Sequence, residues 1–532
     1  MRTYLVAGLM VSACSLTSSF DDFEVVEDGG VDGNVPDGDL PEVGPELGME
    51  GGAPETGPDM VVDDMSLTCE APLVPCVDTC VSLGTTEHCL ACNDACGASE
   101  VCGASGCIAQ GFSAPYPGAP GRNFAFFNDI AVSESGEVYA TGFVTSDGRA
   151  SPGSSSQAIL AEFSGRTGAM NWFVLSSASN ARDAGRDVEV RGDDIYVAGV
   201  TTGALRVGGT AIGGTANDRV VAYVLRLSAA TNGGLIASAT YDVGPDDGFS
   251  PLVGPRLALA DSAVVMAFSS LEVTGDGVAV EEQDGGSLLP VDLFTIGLSP
   301  DTLDLAWFHQ LEDNISGSSG FDTGEVDLGA LTAHGDRVFL AAEHERAVEF
   351  RGARIESGPS VFELSAAVGP REREVGHYPV VRLSSLTAIQ VQGDSLFVGG
   401  SPGNGTAIWQ RRLEEDEEGE VFDVTSTNSS VLRGLTVDEG SIRALVQIRN
   451  DTSFAIGDME VLHMVQGSTL DSDVLVVRMT RDGAITGFDP VAEGAFDDRA
   501  GAMVRASDDA DIVGVNVETD DMWNASIVRS LP

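Results

Sequence analysis

Two short stretches decide the fold of this chain: Ile130-Ala-Val-Ser-Glu-Ser-Gly-Glu-Val-Tyr-Ala-Thr-Gly142 and Val188-Glu-Val-Arg-Gly-Asp-Asp-Ile-Tyr-Val-Ala-Gly199. Each begins with alternating apolar and polar residues, passes through a turn that contains Gly or Asp, and continues into a second apolar run. Alternation on both sides of a tight turn is typical of a β-hairpin. Related stretches recur around Asp261 and at residues 331–341, 389–400, 435–440 and 503–509.

A second hairpin follows the first in most of these units. Its first strand ends in a hydroxyl residue, and a further strand follows, as at Met170 and Leu305. The hydroxyl residues are Ser164, Ser228, Ser299, Ser365 and Thr480. Four strands per unit, repeated seven times, predict a β-propeller. Two stacked β-sandwiches remain the alternative.

The seventh unit has only three strands, because the chain given ends at Pro532 shortly after the third. The segment Gly111–Tyr116 precedes the first unit and belongs to none. We therefore predict that residues 112–118 pair with the blade formed by residues 501–532. This pairing would close the ring and cover two sheet edges that would otherwise be exposed.

The composition agrees with an all-β fold, with 65 Gly, 6% aromatic residues and an apolar fraction of 43%. We predict a seven-bladed β-propeller at residues 111–532, preceded by a small disulfide-rich module at 66–110 and a disordered acidic linker at 14–65. The repeat resembles the bacterial beta-propeller repeat family of exported proteins over roughly residues 112–532.

The N-terminus has the features of an export signal over residues 1–13. One positive charge at Arg2 precedes a short apolar run, and small residues follow. The tetrapeptide Val-Ser-Ala-Cys14 resembles the lipobox of bacterial lipoproteins, in which the cysteine is acylated after cleavage. This resemblance implies a membrane anchor of acyl chains on Cys14, and Ser15 after it resembles an outer-membrane sorting signal. An ordinary signal peptide cut nearby is the alternative.

Residues 20–65 contain 15 acidic and no basic residues, interspersed with Gly and Pro. A segment with so much like charge and so little apolar surface does not fold and repels itself. We interpret residues 14–65 as a tether. The Asp-Gly spacings leave calcium binding open, although the terminal Glu of a calcium loop is missing.

Eight of the nine cysteines fall within about 40 residues. They are Cys69, Cys76, Cys80, Cys89, Cys92, Cys96, Cys102 and Cys107. An even number of cysteines in a small exported segment predicts a disulfide framework, whose pairing the sequence does not determine. A zinc site at Cys89-Leu-Ala-Cys92 is the alternative. The spacing resembles the stigma-specific-protein-like cysteine-rich module of exported bacterial lipoproteins, which implies no catalytic activity.

The charge excludes several functions. The chain has 82 acidic residues, 28 Arg and no Lys, so its net charge is -54. Nucleic-acid binding through a cationic face, a phosphate-binding P-loop and a Schiff-base lysine are therefore excluded. Residues 111–532 alone contain 62 acidic residues against 27 Arg, which leaves -35. Because such a surface repels copies of itself, we expect a monomer.

No catalytic or metal-binding motif is present. The sequence has no His-Glu-x-x-His and no Gly-x-Ser-x-Gly. A Ser-His-Asp triad assembled from distant residues remains open. Trp172 and Trp307 occupy equivalent fourth-strand positions, for which we predict packing between blades rather than carbohydrate stacking. We name no catalytic residue and no cofactor beyond the calcium alternative.

Aspartates recur just before the first strand of several units, and they are Asp183, Asp247, Asp322, Asp497 and Asp498. Equivalent positions of a propeller lie on one face of the ring. These residues could therefore form a face that concentrates cations or binds a basic partner. Turn formation by side-chain hydrogen bonds is the alternative explanation.

Three functions fit these features. The first is an outer-membrane lipoprotein, periplasmic or surface-exposed, whose propeller is a non-enzymatic binding or scaffolding domain for a protein or polysaccharide. The second is an exported hydrolase or lyase that uses paired carboxylates in the funnel of the propeller. The third is a structural component of the envelope. A catalytic funnel requires inward-facing carboxylates about 5–10 Å apart with one displaced pKa, whereas a scaffold would have a plain channel.

Overall fold

The computed structural model divides the chain into two compact units, Met1–Ser66 and Leu67–Pro532. The first lies outside the described residues, and with it Cys14 and the tether. The described residues of the second are 74–76, 79–81, 100–103, 106–109, 113–116, 124–146, 156–176, 182–212, 219–245, 254–270, 272–275, 277–280, 292–313, 326–350, 353–367, 376–403, 405–414, 418–425, 430–449, 453–456, 459–462, 472–492, 499–506, 510–519 and 522–530.

The cysteine-rich segment contains two short antiparallel hairpins. They consist of β1 (Val74–Cys76) with β2 (Thr79–Val81) and β3 (Glu100–Gly103) with β4 (Gly106–Ala109). In the second hairpin the register places Cys102 opposite Cys107. Cys69, Cys89, Cys92 and Cys96 lie outside the described residues, and the disulfide framework stays a prediction.

The rest of the chain is a seven-bladed β-propeller, so the sandwich alternative is wrong. Before the first blade lies β5 (Ser113–Pro115). Blade 1 contains β6 (Phe124–Val132), β7 (Val138–Thr145), β8 (Gln157–Phe163) and β9 (Met170–Leu175). Blade 2 contains β10 (Ala184–Arg191), β11 (Asp194–Thr201), the hairpin β12 (Leu205–Val207) and β13 (Thr210–Ile212), β14 (Arg219–Ser228) and β15 (Gly234–Pro245). Blade 3 contains β16 (Arg256–Leu259), β17 (Val264–Ser270), the hairpin β18 (Val273–Gly275) and β19 (Val278–Val280), β20 (Asp292–Leu298) and β21 (Leu305–Asp313).

Blades 4 to 7 follow the same order. Blade 4 contains β22 (Val326–His334), β23 (Arg337–His344), the hairpin β24 (Val348–Phe350) and β25 (Ala353–Ile355), β26 (Gly358–Ser365) and β27 (His377–Pro379). Blade 5 contains β28 (Ser385–Gln392), β29 (Ser395–Ser401), β30 (Thr406–Arg412) and β31 (Glu420–Thr425). Blade 6 contains β32 (Ser430–Val437), β33 (Ser441–Arg449), the hairpin β34 (Ser453–Ile456) and β35 (Met459–Leu462), β36 (Ser472–Thr480) and β37 (Ile485–Ala492). Blade 7 contains β38 (Arg499–Arg505), β39 (Asp511–Thr519) and β40 (Met522–Ser530).

Glycine fixes the turns that the sequence pattern predicts between the first and second strands. Gly192, Gly335 and Gly393 occupy the first central position of three equivalent two-residue turns, with φ of 59°, 61° and 60°. An Asp follows each of them. A two-residue hairpin of type II′ needs positive φ at this position, which glycine adopts without a steric penalty. These turns therefore set the register of the first hairpin in blades 2, 4 and 5.

The ring closes as predicted. β5 pairs antiparallel with β40, with Ala114 opposite Ile527. The N–H of Tyr116 continues this pairing and donates to the carbonyl of Ala525 at 2.8 Å. The buried Tyr116 ring lies in one apolar cluster with residues of blades 1 and 7. An N-terminal strand thus completes the last blade.

Three blades are extended by a feature that the sequence did not predict. In these cases the hairpin between the second and third strands of one blade pairs with the outer strand of the preceding blade. The pairs are β18 with β15, β24 with β21, and β34 with β31. These pairs produce the six-stranded sheets of blades 2, 3 and 5. We call these elements the strap hairpins. They add hydrogen bonds between neighbouring blades.

Polar side chains on the second strand of a blade also bond to the backbone of the inner strand in the next blade. The side-chain amide of Asn516 in blade 7 accepts from the N–H of Phe127 at 2.7 Å and donates to its carbonyl at 2.9 Å. Ser269 of blade 3 accepts from the N–H of Leu328 in blade 4 at 3.1 Å. Such bonds satisfy backbone groups on the edges of inner strands. No helix within the described residues is long and apolar enough to cross a membrane.

Candidate functional site

The seven inner strands surround a central channel with a cavity volume of about 960 Å³. Residues of all seven inner strands line it. Each of these strands lies against the inner strands of its two neighbours, and the circle closes between β38 and β6. The channel is therefore the site at which side chains from every blade converge.

One position of the inner strands makes the channel asymmetric. In blades 1 and 2 the strand contains a β-bulge, and the residue after it is Asp129 or Asp187. Arg256 holds the equivalent position in blade 3. In blades 4, 5 and 6 the position is occupied by small residues, which are Ala330, Ala388 and Gly434. Charged side chains thus line the channel at blades 1 to 3, whereas small side chains leave open space at blades 4 to 6.

Asp129 and Asp187 form a hydrogen-bonded pair of carboxyl groups in this wall. Burial and the neighbouring carboxyl of Asp187 raise the pKa of Asp129 well above its usual range. Burial also raises the pKa of Asp187, although Arg256 opposes this effect. Two negative charges in contact repel each other strongly, which favours a protonated carboxyl group in the pair. The negative charge of the pair is therefore smaller than that of two separate carboxylates.

The same pair holds neighbouring blades together. Asp129 Oδ2 accepts from the N–H of Val188 in blade 2 at 2.9 Å. Asp187 likewise accepts from the backbone of Leu257 in blade 3. Like the bonds of Asn516 and Ser269, these bonds connect a side chain of one blade to the inner strand of the next blade. The two aspartates consequently have a structural role in addition to facing the channel.

Two arginines share the wall with the carboxyl pair. Arg256 Nη1 lies 3.9 Å from Asp187 Oδ2, which is too long for a hydrogen bond. Arg186 extends along the backbone of Gly254, where an added Cβ would lie 2.7 Å from Arg186 Cγ. Burial and the nearby charge of Arg256 lower the pKa of Arg186. Arg256 and Asp187 therefore form an ion pair without a hydrogen bond, whereas Arg186 has no carboxylate within ion-pair distance in the described part of the chain.

The other channel arginines have protein partners. Arg505 forms an ion pair with Asp438. Arg499 lies over the ring of Trp523, 4.7 Å from its centre. Arg433 donates to the side chain of Gln447 at 3.4 Å. Arg186 has no such partner, and the contact of Arg256 with Asp187 is too long for a hydrogen bond, so these two arginines are the pair best placed to bind a ligand.

A third carboxyl group faces the channel two residues beyond Asp187. Burial, together with the charge of Asp187, raises the pKa of Glu189 to about 8, and Arg191 only partly opposes this. Glu189 is therefore mainly protonated at neutral pH. The pKa values of all three carboxyl groups beside the two arginines are thus raised, which reduces the negative charge of this wall.

Polar atoms without partners lie in the same channel. They are Arg186 Nε, Gln390 Oε1 and Thr436 Oγ1, which make no hydrogen bond to any residue that the structure describes. Thr436 is only 7% exposed. Gln390 and Thr436 lie in blades 5 and 6, across the channel from blade 2. Buried polar groups normally have partners, which marks this region as a place for a polar ligand or ordered water.

Asp183, one of the aspartates singled out from the sequence, does not line this channel. Asp183 is fully buried, and its carboxylate accepts from Ser176 Oγ at 2.7 Å and Thr201 Oγ1 at 2.6 Å. It therefore does not lie on an exposed face, and it connects the end of blade 1, through Ser176, to blade 2, through Thr201. Asp247, Asp322, Asp497 and Asp498 lie outside the described residues. Among the described residues, no group of three or more His, Cys, Asp or Glu is arranged to hold a metal ion.

Trp307 packs between blades, as predicted. Its indole N–H donates to the carbonyl of Ala366 in blade 4 at 2.7 Å. Trp172 has a similar role, because its ring lies 6.1 Å from that of Tyr139 and contacts Gly233 of blade 2. Neither tryptophan forms a sugar-stacking platform in the channel.

Two histidines share one hydroxyl group in blade 4, away from the channel. Nε2 of His344 and Nε2 of His377 both lie 3.1 Å from Ser360 Oγ. Phe362 packs against both rings. His344 Nδ1 also lies 2.7 Å from the carbonyl of Arg346, two residues before the strap hairpin of β24 and β25. Since Ser360 is only 2% exposed, this arrangement is not a catalytic nucleophile open to substrate.

This cluster predicts a loss of stability in mild acid. Burial lowers the pKa of His344, and burial with the charge of His344 lowers that of His377 to about 4. Between about 6.5 and 4 the unfolded chain binds protons that the folded chain excludes, so stability falls as the pH falls. We expect the melting temperature to decrease over this range, and His377→Gln to remove part of the decrease. The exposed His334→Gln is the control, and an unchanged pH slope in His377→Gln would contradict the assignment.

Comparisons with known proteins add little beyond architecture. No model of a known protein family matches the chain, and no curated protein matches it. The structure is similar to polysaccharide lyase Uly1, with 10% identity and a TM-score of 0.41 over 76% of this chain and 90% of that chain. It is also similar to the phage phi92 endosialidase, with 8% identity and a TM-score of 0.39 over 80% of this chain and 69% of that one. Identities this low give no information on what this chain binds.

Proposed function

We propose that the protein is an outer-membrane lipoprotein whose propeller binds a partner molecule in its central channel without catalysing a reaction. The observation that carries the binding function is the asymmetric channel: Arg186 and Arg256 face open space without a hydrogen-bonded carboxylate among the described residues. Partnerless polar atoms on the opposite side, such as Thr436 Oγ1, support the same function. Binding energy is available where such groups gain partners.

The geometry of the carboxyl pair favours binding over glycoside hydrolysis. Hydrolases place their two carboxyl groups about 5–9.5 Å apart, so that a sugar bond or a water molecule fits between them. Asp129 and Asp187 instead contact each other, and both accept from the backbone of the next blade. They cannot move apart without loosening the joints between blades.

A hydrolase or lyase is the second candidate, and Glu189 is the residue that favours it. A group with a pKa of about 8 exchanges protons readily near neutral pH, as general acid–base catalysis requires. This candidate would be supported if the protein released shortened or unsaturated products from polygalacturonate and Glu189→Gln stopped their release. A purely structural envelope protein would show neither binding in the channel nor products.

The binding function predicts where the protein can be cross-linked. A photoreactive amino acid at Thr332 or Thr387, both in the channel wall, should give covalent adducts in intact cells. The same group at Ile236, which is 49% exposed on β15, is the control. Mass spectrometry of the adducts identifies the partner. Adducts at Ile236 alone would place binding on the outside of the ring and contradict the proposal.

The membrane anchor predicts a second result. Cys14→Ser should move the protein from the membrane fraction to the soluble fraction, because acyl chains provide about 0.8 kcal/mol per buried CH₂. Mass spectrometry of the wild-type N-terminus should find acylated Cys14. Ser15→Ala keeps the acceptor cysteine and serves as the control. An unmodified N-terminus at another residue would exclude the anchor and leave channel binding unaffected.

A further inference from the structure

Arg186 and Arg256 identify one end of the ligand site, because neither is hydrogen-bonded to a carboxylate among the described residues. Arg186 comes from the bulge of β10, and Arg256 from the start of β16, so two adjacent blades supply one guanidinium each. Arg186 lies along Gly254, where even a methyl group would collide with its side chain. A guanidinium held in place by packing binds an anion with less loss of side-chain freedom.

The surroundings of this pair favour an anion. The raised pKa values of Asp129, Asp187 and Glu189 reduce the negative charge beside the two arginines, so their positive charge is only partly opposed. The propeller as a whole, in contrast, is strongly acidic, with 62 acidic residues against 27 Arg in residues 111–532. An anion is therefore repelled by the net charge of the propeller and attracted by the two arginines inside the channel.

The opposite side of the channel presents polar atoms that the hydroxyl groups of a ligand would satisfy. Gln390 Oε1 is an acceptor without a partner among the described residues, and it needs an O–H or N–H donor. Thr436 Oγ1 can donate to or accept from a hydroxyl. The small side chains of Ala388 and Gly434 leave room in front of them. A ligand that satisfies both sides combines an anionic group with hydroxyl groups.

We propose that the channel binds a hydroxyl-bearing carboxylate of the uronic acid class, with its carboxylate on Arg186 and Arg256 and its hydroxyl groups on Gln390 and Thr436. This inference rests on the proposed binding function and specifies its ligand. Carboxylate and guanidinium are both planar and form paired, charge-assisted hydrogen bonds. The ligand is a unit of an acidic polysaccharide or a free sugar acid, and the two share this chemistry.

The test measures binding to the purified full-length lipoprotein in detergent by calorimetry. Galacturonate and an oligomer of galacturonate distinguish the free acid from the polysaccharide unit. Galactose lacks the carboxylate, and inorganic phosphate lacks the carbon-bound hydroxyl groups. We expect both galacturonate probes to bind and galactose and phosphate to bind at least roughly tenfold more weakly, as expected when charge-assisted bonds are lost.

Substitutions locate the binding. Arg186→Gln and Arg256→Gln should each weaken galacturonate binding roughly 10- to 100-fold. Arg354→Gln removes the same charge at a site that is 74% exposed on β25 and should have no effect. Melting curves check that every variant is folded. Wild-type affinity in either channel variant, or phosphate binding as strongly as galacturonate, would overturn the inference.

A pH series gives a readout that misfolding would not produce. As the pH rises through about 8, Glu189 loses its proton and repels the ligand, so wild-type affinity should fall. Asp187 and Arg191 are the charged groups that act on Glu189. Glu189→Gln should keep its affinity at high pH, and an equal fall in both proteins would overturn the inference.

If galacturonate does not bind but cross-links form in the channel, only the ligand class is wrong; if neither occurs, the proposed function fails as well.

Discussion

A chain that lacks residues 111–120 will unfold at a much lower temperature than the intact protein, because the deletion removes the strand that closes the ring. β5 forms backbone hydrogen bonds with β40, each worth about 1 kcal/mol net. The deletion also removes the buried ring of Tyr116, which packs edge-on against Phe127 and Phe173 at 6.4 and 6.1 Å. Burial of an aromatic side chain of this size is worth about 3–5 kcal/mol.

Point variants separate these contributions. Tyr116→Ala should lower the free energy of unfolding by about 3–5 kcal/mol. Tyr116→Phe should be neutral or stabilising, because the hydroxyl group is buried without a partner among the described residues. Thermal denaturation followed by circular dichroism measures both. A deletion of residues 15–65 is the control and should leave the propeller transition unchanged. A chain that starts at residue 122 and melts like the full propeller would contradict the closure by β5.

The repeating four-stranded unit was predictable because its information is local. Each hairpin is specified by alternating side chains and by turns such as those at Gly192 and Gly393, within about 15 residues of sequence. The closure by β5 was also predictable, because a strand was missing from the last unit and an unassigned segment preceded the first. Simple counting of strands was sufficient for both.

The strap hairpins were missed for the opposite reason. Strands such as Val273–Gly275 and Val278–Val280 contain three residues each, too few for a periodic pattern to be detected. Their partner, β15, belongs to the preceding blade, so the stabilising contact is not local. The sequence signal that remains is two short apolar runs around a Gly or Asp turn between the second and third strands.

The channel site was missed because β-bulges shift the alternation of side chains. The predicted first strands began at Ile130 and Val188, whereas the strands begin at Phe124 and Ala184 and contain a bulge near their start. One inserted residue moves every following side chain of the strand to the opposite face of the sheet, which interrupts the alternating pattern. The signal available in the sequence was a polar residue followed by Asp directly before two equivalent apolar strands, at Asn128-Asp129 and Arg186-Asp187. Only alignment of the repeats through the bulge would have shown Asp129, Asp187 and Arg256 in one position.

The second large effect is expected at the junction of blades 6 and 7, where a buried ion pair joins the blades. Arg443 of β33 and Asp511 of β39 are 2.7 Å apart, with side chains only 6% and 2% exposed. Replacement of one partner leaves the other charge buried and unpaired, which costs about 3–5 kcal/mol. We therefore expect Arg443→Met to lower the free energy of unfolding by about this amount in chemical denaturation.

An exposed ion pair in the same protein provides the control. Arg354 and Glu356 are 3.3 Å apart, with side chains 74% and 82% exposed, and Arg354→Met should change stability by less than about 1 kcal/mol.

A pH series distinguishes the loss of charge pairing from the loss of packing. Burial already raises the pKa of Asp511 despite Arg443, and without the arginine it rises further. The folded variant then binds a proton that the unfolded chain releases, so Arg443→Met should become more stable, relative to wild type, as the pH is lowered. Equal effects of Arg443→Met and Arg354→Met at every pH would show that the buried pair contributes nothing specific to this junction.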